Sequence, residues 1–114
     1  MRITVVDDDE EVGAALRFLF RASGHDVALF ASAEELLAHD VVADCFLFDI
    51  SLPLLSGVEL ARRIRSTGCD VPIVLMTAQD QEATRTAVVQ SGLPVVRKPF
   101  DEEQILKVFA GIRR

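Results

Sequence analysis

Short apolar runs alternate along the whole chain with segments that repeat apolar residues at helical spacing. The runs are apolar throughout rather than every second residue, which is typical of strands buried on both faces of a parallel sheet. They cover residues 3–6, 25–30, 45–48, 72–76 and 95–96. Five rounds of strand then helix predict an α/β fold, a doubly wound parallel sheet with helices on both faces.

The segments between the runs carry the signals that begin helices. The first helix is expected over residues 10–22, and a more polar fourth helix over residues 80–90. Capping boxes open the second and third helices, and Asp101 is expected to cap the fifth. The boxes are Ser32 with Glu35 and Ser56 with Glu59. The first helix is expected to bury Val12, Ala15, Leu16, Leu19 and Phe20. Core packing is expected of Phe18, Phe20, Phe46, Phe48 and Phe109.

Length and charge limit the kinds of protein that fit. The 114 residues suit one domain with a single hydrophobic core, so we expect residues 1–114 to be one domain without an output domain. The net charge of −6 argues against direct nucleic-acid binding by this chain alone.

The two cysteines and the N-terminus indicate a cellular location. Cys45 and Cys69 lack the spacing of a zinc site or a disulfide framework, so two reduced thiols are expected. Residues 1–7 do not resemble a signal peptide, and no apolar run approaches the ~20 residues that span a bilayer. The sequence therefore predicts a cytoplasmic protein that does not enter a membrane.

Polar residues follow four of the five apolar runs at the point where each run ends. Asp7 and Asp8 follow the first run, Asp49 the third, Thr77 the fourth and Lys98 the fifth. If the strand order is 2-1-3-4-5, these positions lie at the carboxyl ends of neighbouring strands about 4.8 Å apart. Doubly wound sheets bind their ligands at that edge, so we expect one site there.

The residue types in this site predict phosphoryl chemistry with a metal ion. Neighbouring carboxylates repel one another and need a cation, and their hard oxygen atoms suit Mg²⁺ or Mn²⁺ rather than zinc. An oxygen of Asp49 can then attack phosphorus and give an acyl phosphate. Lys98 can neutralise charge on the transferred group, and the Thr77 hydroxyl can donate a hydrogen bond to a phosphoryl oxygen.

The chain also resembles a known family through four motifs in order. They are Val5-Val6-Asp7-Asp8, Asp49 with Pro53 and Gly57, Thr77-Ala78, and Lys98-Pro99-Phe100. Together they are similar to the receiver domain of two-component response regulators, over essentially the whole chain. The resemblance implies a CheY-like, flavodoxin-like fold and a switch in a phosphorelay. It implies that a histidine kinase or histidine phosphotransfer protein phosphorylates Asp49, and that the domain is no enzyme beyond catalysing its own phosphorylation and dephosphorylation.

Roles for individual residues follow from the same resemblance. The implied ligands of Mg²⁺ are Asp8, Asp49 and the backbone carbonyl of Ser51, with assistance from Asp7. The implied phosphoryl-binding and switch residues are Thr77, Ala78 and Lys98. The peptide bond before Pro99 is expected to be cis. The segment 7–37 looks most like receivers that precede helix-turn-helix outputs.

One position departs from the family pattern. Receivers usually carry tyrosine or phenylalanine three residues before the lysine, and Val95 stands there in this chain. Because valine cannot report the switch as an aromatic ring does, the usual output face of fourth helix, fifth strand and fifth helix is in doubt. A homodimer through that face is nevertheless one expected assembly.

Two other functions remain open. The first is a receiver-like interaction module that binds partners without phosphorylation, which Val95 favours and the complete set of site residues argues against. The second is a small phosphotransferase or phosphohydrolase that works through an aspartyl phosphate. Ser51 argues against it, since a second acid is expected two residues after the nucleophile. Nucleotide binding is disfavoured because no glycine-rich phosphate loop follows any run.

Overall fold

Five parallel strands form one sheet in the order β2-β1-β3-β4-β5, as the sequence predicts. The computed structural model describes residues 1–39, 42–77, 82–98, 103, 104 and 107. The strands are β1 (Arg2–Val6), β2 (Asp26–Phe30), β3 (Cys45–Asp49), β4 (Ile73–Thr77) and β5 (Val95–Arg97). The expected doubly wound, flavodoxin-like architecture is confirmed.

Helices follow the first four strands. They are α1 (Glu10–Ala22), α2 (Ala33–Leu37), α3 (Gly57–Ser66) and α4 (Glu82–Ser91). Residues 103, 104 and 107 are also helical, whereas the expected cap Asp101 lies outside the described residues. No helix in the described part of the chain has the length and apolar character needed to cross a membrane.

The helix starts are built from the capping side chains that the sequence marks. An oxygen of Asp9 accepts hydrogen bonds from the first turn of α1, and Ser32 and Ser56 each accept one from the backbone of the glutamate three residues later. In a capping box the glutamate also accepts a hydrogen bond from the backbone N–H of the cap residue. In α2 the Glu35 carboxylate instead accepts from the N–H of Ala31, one residue before the cap Ser32.

The hydrophobic core lies in two layers, one on each side of the sheet. Successive strand residues point to opposite layers, since side chains alternate along a strand. One layer joins α2 and α3 to the sheet and includes Val6, Phe46, Phe48, Leu60 and Leu75. The other joins α1 to the sheet and includes Val5, Leu16, Phe20, Leu47 and Met76. Helices therefore cover both faces, which explains why the strands are apolar throughout.

Two core assignments on α1 were wrong. Phe18 is 68% exposed and Ala15 is also exposed, whereas Gly13 is buried against Leu29. At 100° per residue, Phe18 lies about 200° around the helix from the buried Leu16 and therefore points to solvent. On α2, Leu37 is 41% exposed, whereas Leu36 is buried. Phe109 lies outside the described residues.

The register of the strands brings the polar residues to one edge. Val6 pairs with Phe48 across β1 and β3, so the residues that follow them lie side by side. Asp49 pairs with Met76 on β4, and Thr77 pairs with Arg97 on β5. Each polar site residue predicted in the described part of the chain therefore lies at or just beyond the carboxyl end of its strand.

Both cysteines are free, in agreement with the sequence prediction. Cys45 is buried in β3, and this burial raises the pKa of its thiol to about 12. A thiol with so high a pKa carries almost no thiolate near neutral pH, so Cys45 acts as a packing residue.

Candidate functional site

Asp49 ends β3 as a buried carboxylate and is only 6% exposed. Its Oδ1 accepts a hydrogen bond from the backbone of Ser51 at 3.2 Å. The next residue, Ile50, donates its N–H to the carbonyl of Met76 on β4 at 2.9 Å and so fixes the chain where it leaves the sheet. These two hydrogen bonds fix the side chain of Asp49 and the backbone that follows it, at the point where β3 ends and the loop begins.

Three carboxylates meet at this edge of the sheet. Asp7, Asp8 and Asp49 each place an oxygen within 4.8 Å of the other two. Asp7 and Asp49 are buried, whereas Asp8 is exposed. A donor set of hard oxygen atoms, open to solvent on one side, suits Mg²⁺ or Mn²⁺, which keep several water ligands.

The pKa of Asp49 shows that its negative charge is unfavourable in this cluster of carboxylates. Burial raises the pKa of its carboxyl group, and the negative charge of Asp7 raises it further. The Lys98 ammonium and the hydrogen bond from Ser51 act in the opposite direction without cancelling the rise. A divalent cation beside Asp49 would favour the charged carboxylate, which is the form that can act as a nucleophile.

Asp7 is oriented by three separate elements. Its own N–H donates to the carbonyl of Phe30 on β2 at 3.1 Å. Its Oδ1 accepts from the backbone of Asp9 at 2.9 Å, and its Oδ2 accepts from the ammonium of Lys98 at 2.8 Å. Asp9 therefore has two roles, since its side chain caps α1 and its backbone N–H orients Asp7.

Lys98 reaches into the acidic cluster from beyond β5. Its Nζ lies 2.8 Å from Oδ2 of Asp7 and 3.6 Å from Oδ2 of Asp49, and its side chain is 17% exposed. Burial by itself lowers the pKa of this ammonium, but the two carboxylates outweigh burial and the pKa is raised. The sequence predicts that Lys98 can approach Asp49, and the structure adds that its closer partner is Asp7.

Thr77 and Ser51 lie at the same edge of the sheet as Asp49. Thr77 ends β4, and its carbonyl accepts from the backbone of Lys98 at 2.7 Å, which joins the ends of β4 and β5. Ser51 is exposed, and its N–H is directed at Asp49. Their roles in binding phosphoryl and metal stay predictions. Ala78 and Pro99, with the expected cis bond, lie outside the described residues.

Val95 occupies the position where the family pattern has an aromatic ring. It is half-buried in β5, pairs with Leu75 and packs against the core layer that contains α3. The described structure thus gives Val95 a packing role.

Gly57 is the site feature whose importance sequence reasoning missed. It opens α3 directly against the end of β3, where a Cβ would lie 2.3 Å from the carbonyl oxygen of Asp49. The signal was present, because a glycine directly after the cap Ser56 is a weak helix former in a position that tolerates most residues.

This arrangement of a buried aspartate, neighbouring acids and a lysine on a five-stranded doubly wound sheet agrees with a family comparison. The model of the response regulator receiver domain matches residues 3–110. The chain belongs to the response regulator receiver domain family, and it is the receiver domain of a two-component response regulator. Response regulators work with histidine kinases in two-component systems, and receiver domains are signalling switches.

Individual relatives support the assignment. Response regulator MprA of Mycobacterium avium (strain 104) is 39% identical over 111 residues, which are 93% of this chain and 48% of that protein. The chain thus spans about half the length of the curated relatives it matches. Among solved structures, FixJ-N is 28% identical with a TM-score of 0.85, covering 96% of this chain and 90% of that one. The BeF3-activated receiver domain of DrrB is 25% identical with a TM-score of 0.84, covering 96% and 94%.

Proposed function

We propose that this domain is a phosphoacceptor switch in which Asp49 takes a phosphoryl group in a Mg²⁺-dependent reaction. The phosphoryl donor is the phosphohistidine of a histidine kinase or of a histidine phosphotransfer protein. One observation carries the proposal: buried Asp49 lies within 4.8 Å of two further carboxylates and 3.6 Å from the Lys98 ammonium. Family membership supports it.

The residues divide the work of the reaction between them. Asp8, Asp49 and the backbone carbonyl of Ser51 would hold the metal ion, with Asp7 assisting. When bound, Mg²⁺ supplies positive charge that offsets the repulsion between the carboxylate and the incoming phosphoryl oxygens. An Asp49 oxygen forms a bond to phosphorus as the phosphorus–nitrogen bond of phosphohistidine breaks and the electron pair leaves with the imidazole.

The switch follows from the charges around the new acyl phosphate. The aspartyl phosphate carries more negative charge than Asp49 did, so Lys98 pairs with the phosphoryl oxygens. The Thr77 hydroxyl and the backbone at Ala78 bind the same group. Because Lys98 and Thr77 are joined through their backbones, these movements reach β4 and β5 together and change partner binding. A homodimer through α4, β5 and the fifth helix is one outcome that we propose.

Mass spectrometry of the intact protein tests the proposal. The protein is incubated with Mg²⁺ and acetyl phosphate, and we expect a mass gain of one phosphoryl group located at Asp49. Asp49→Asn should abolish the gain, whereas Asp26→Asn, which changes an exposed aspartate in β2, should keep it. Chelation of the metal should also abolish it. Wild-type protein that gains no mass under these conditions would refute the switch.

Val95 supports a second candidate, a module that binds its partners whether or not it is phosphorylated. A half-buried valine that packs in the core has no ring to move when the phosphoryl group arrives. Partner affinity separates the two functions. If partners bind acetyl phosphate-treated wild type and Asp49→Asn equally well, the constitutive module replaces the switch. Turnover of phosphate esters far above one equivalent per chain would instead support an enzyme.

Three further expectations are also part of the proposal. We propose that residues 1–114 act as one receiver unit, that this unit does not bind nucleic acid by itself, and that it works in the cytoplasm, where the histidine kinase phosphorylates it. A gel-shift titration with random duplex DNA at low salt tests the second, since non-specific binding is strongest there.

A further inference from the structure

We infer that Gly57 is a positioning residue that sets the place of Asp49 and Ser51 in the site. A Cβ on Gly57 would lie 2.3 Å from the carbonyl oxygen of Asp49, 2.9 Å from its carbonyl carbon and 3.1 Å from Cα of Ile50. All three are backbone atoms, which cannot turn aside as a flexible side chain can. The first turn of α3 therefore rests directly on the backbone of the phosphoacceptor.

The need for glycine here comes from space and not from backbone conformation. Positive φ angles occur at Gly24, Gly68 and Gly92 among the described glycines, and Gly57 is not one of them. Any L-residue could adopt the backbone of Gly57, at a position where most are better helix formers. The close approach to Asp49 is the remaining reason for a glycine.

The contact closes the loop that carries the site. The Gly57 N–H donates to the carbonyl of Ile50 at 3.2 Å, so residues 50–56 leave β3 and return to the same point. Within that loop the Ser51 N–H bonds to the Asp49 carboxylate at 3.2 Å. A shift of α3 away from β3 would therefore displace two of the oxygen groups to which the proposed function assigns the metal.

The required shift is large on the scale of metal coordination. Real Cβ atoms essentially never approach within 3.0 Å, so an alanine at this position must move the Asp49 backbone or α3 by roughly 0.7 Å. Metal sites hold their ligands to within about 0.2 Å, and a misplacement of about 1 Å can cost about 100-fold in rate. We expect Gly57→Ala to weaken Mg²⁺ binding by about tenfold or more, as loss of groups that orient metal ligands does.

Two other glycines provide matched controls. Gly68→Ala places a side chain at φ +88° with open space around it, so it strains the backbone without touching Asp49. Gly13→Ala adds a methyl group to α1 at an ordinary distance of 3.4 Å from the Leu29 side chain. The first control separates positioning from general loss of stability. The second tests whether any methyl group added at a buried glycine disturbs the site.

The experiment measures position and metal affinity separately. The chain has no tryptophan or tyrosine, so Mg²⁺ affinity is measured by isothermal titration calorimetry on folded protein. Backbone amide NMR spectra of the metal-free variants report the position of residues 49–51. For Gly57→Ala we expect the largest shifts at these amides and a Mg²⁺ affinity lower by about tenfold or more, against changes within about twofold for both controls.

The inference rests on the proposed function only through the metal. If wild type fails to bind Mg²⁺, the proposed function fails, and the amide shifts in metal-free protein still decide the positioning role. If wild type binds Mg²⁺ and Gly57→Ala binds within about twofold of it, the positioning role is overturned and the function stands. Should Gly57→Ala not fold, the same measurements are made on Gly13→Ala/Gly57→Ala, since alanine favours the helix at residue 13. Failure of that variant to fold in the cold would overturn the inference, because Gly57 would then support the fold as a whole.

Discussion

Asp49→Asn is expected to stabilise the metal-free domain, because the site costs the fold free energy. At an effective dielectric constant of 20, the repulsion from Asp7, which lies within 4.8 Å, is at least about 3.5 kcal/mol, and the attraction of Lys98 at 3.6 Å is about 4.6 kcal/mol. Exposed Asp8 adds a smaller, screened repulsion. Because these charge effects nearly cancel, the burial of the carboxylate decides the sign. Replacing a buried ion pair by well-packed apolar residues often stabilises a protein by about 1–4 kcal/mol. Burial is the largest cause of the raised pKa of Asp49, and Lys98 keeps Asp7 as a partner, so we expect the removal of this one buried charge to stabilise by about 2 kcal/mol.

Urea unfolding followed by far-ultraviolet circular dichroism, in chelator at neutral pH, measures the difference. Lys98 keeps its closer partner Asp7 at 2.8 Å in the variant, so no unpaired ammonium offsets the gain. A gain of 2 kcal/mol raises the melting temperature by about 8 °C for a domain of this size. With saturating Mg²⁺ the advantage should shrink or reverse, because the variant lacks one of the proposed ligands and would gain less stability from binding.

The pH dependence of the stability difference between Asp49→Asn and wild type is a second, independent test. The pKa of Asp49 is raised in the folded state, so the folded protein binds the proton more tightly than the unfolded chain does. The stability that this proton contributes is present below the unfolded pKa of about 3.9 and is lost as pH rises through the folded pKa. The advantage of Asp49→Asn over wild type should therefore be small at low pH and grow to a plateau above the folded pKa.

Asp26→Asn is the control and should change stability by no more than about 0.5 kcal/mol, since Asp26 is exposed. An Asp49→Asn variant no more stable than wild type in chelator, or an advantage that stays constant with pH, contradicts the reasoning.

Three other substitutions probe the same structure by urea unfolding. Lys98→Met should destabilise the metal-free domain by about 3 kcal/mol, because it leaves two buried carboxylates without their counter-charge. Mg²⁺ should restore part of the lost stability. A variant as stable as wild type in chelator would refute the ion pairing of Lys98 with the two carboxylates. Phe18→Ala should change stability by about 0.5 kcal/mol or less, whereas Phe20→Ala should destabilise the domain by about 3–5 kcal/mol. Equal losses of stability would contradict the assignment of Phe20 to the buried face of α1 and of Phe18 to the exposed face. Leu54→Gly should stabilise the domain by about 0.5–1 kcal/mol, because Leu54 is 97% exposed and its φ of 64° is a left-handed conformation that strains leucine. A loss of stability would show that the Leu54 side chain has an unrecognised role.

The architecture and the meeting of the polar residues could be predicted because both follow from local patterns. Each strand is marked by an apolar run that ends on a polar residue, and alternation with helices leaves few topologies. Once the order is 2-1-3-4-5, the ends of β1, β3 and β4 must be neighbours. Asp7, Asp49 and Thr77 therefore lie together for topological reasons, before any side-chain detail is known.

The remaining features depend on distances that no local pattern encodes. A lysine side chain beyond β5 can reach either buried carboxylate, and the preference of Lys98 for Asp7 is decided by differences of less than 1 Å. The residue type of Phe18 predicts a core position, whereas its angle around α1 places it in solvent. The approach of Gly57 to Asp49 depends on how closely α3 packs on β3, which sequence spacing does not specify.

The unfavourable net charge of the metal-free site is also what suits it to the proposed function of binding a cation and accepting a phosphoryl group. Three carboxylates and one ammonium leave two negative charges, which one divalent cation neutralises. Before that cation binds, Lys98 is the counter-charge nearest to Asp7, and its hold on Asp7 opposes metal entry as well as stabilising the fold. In the proposed switch, phosphorylation would add negative charge at Asp49 and draw Lys98 away from Asp7. Because the Lys98 N–H is bonded to the Thr77 carbonyl at 2.7 Å, that change of partner would act on the ends of β4 and β5 without requiring a ring at Val95.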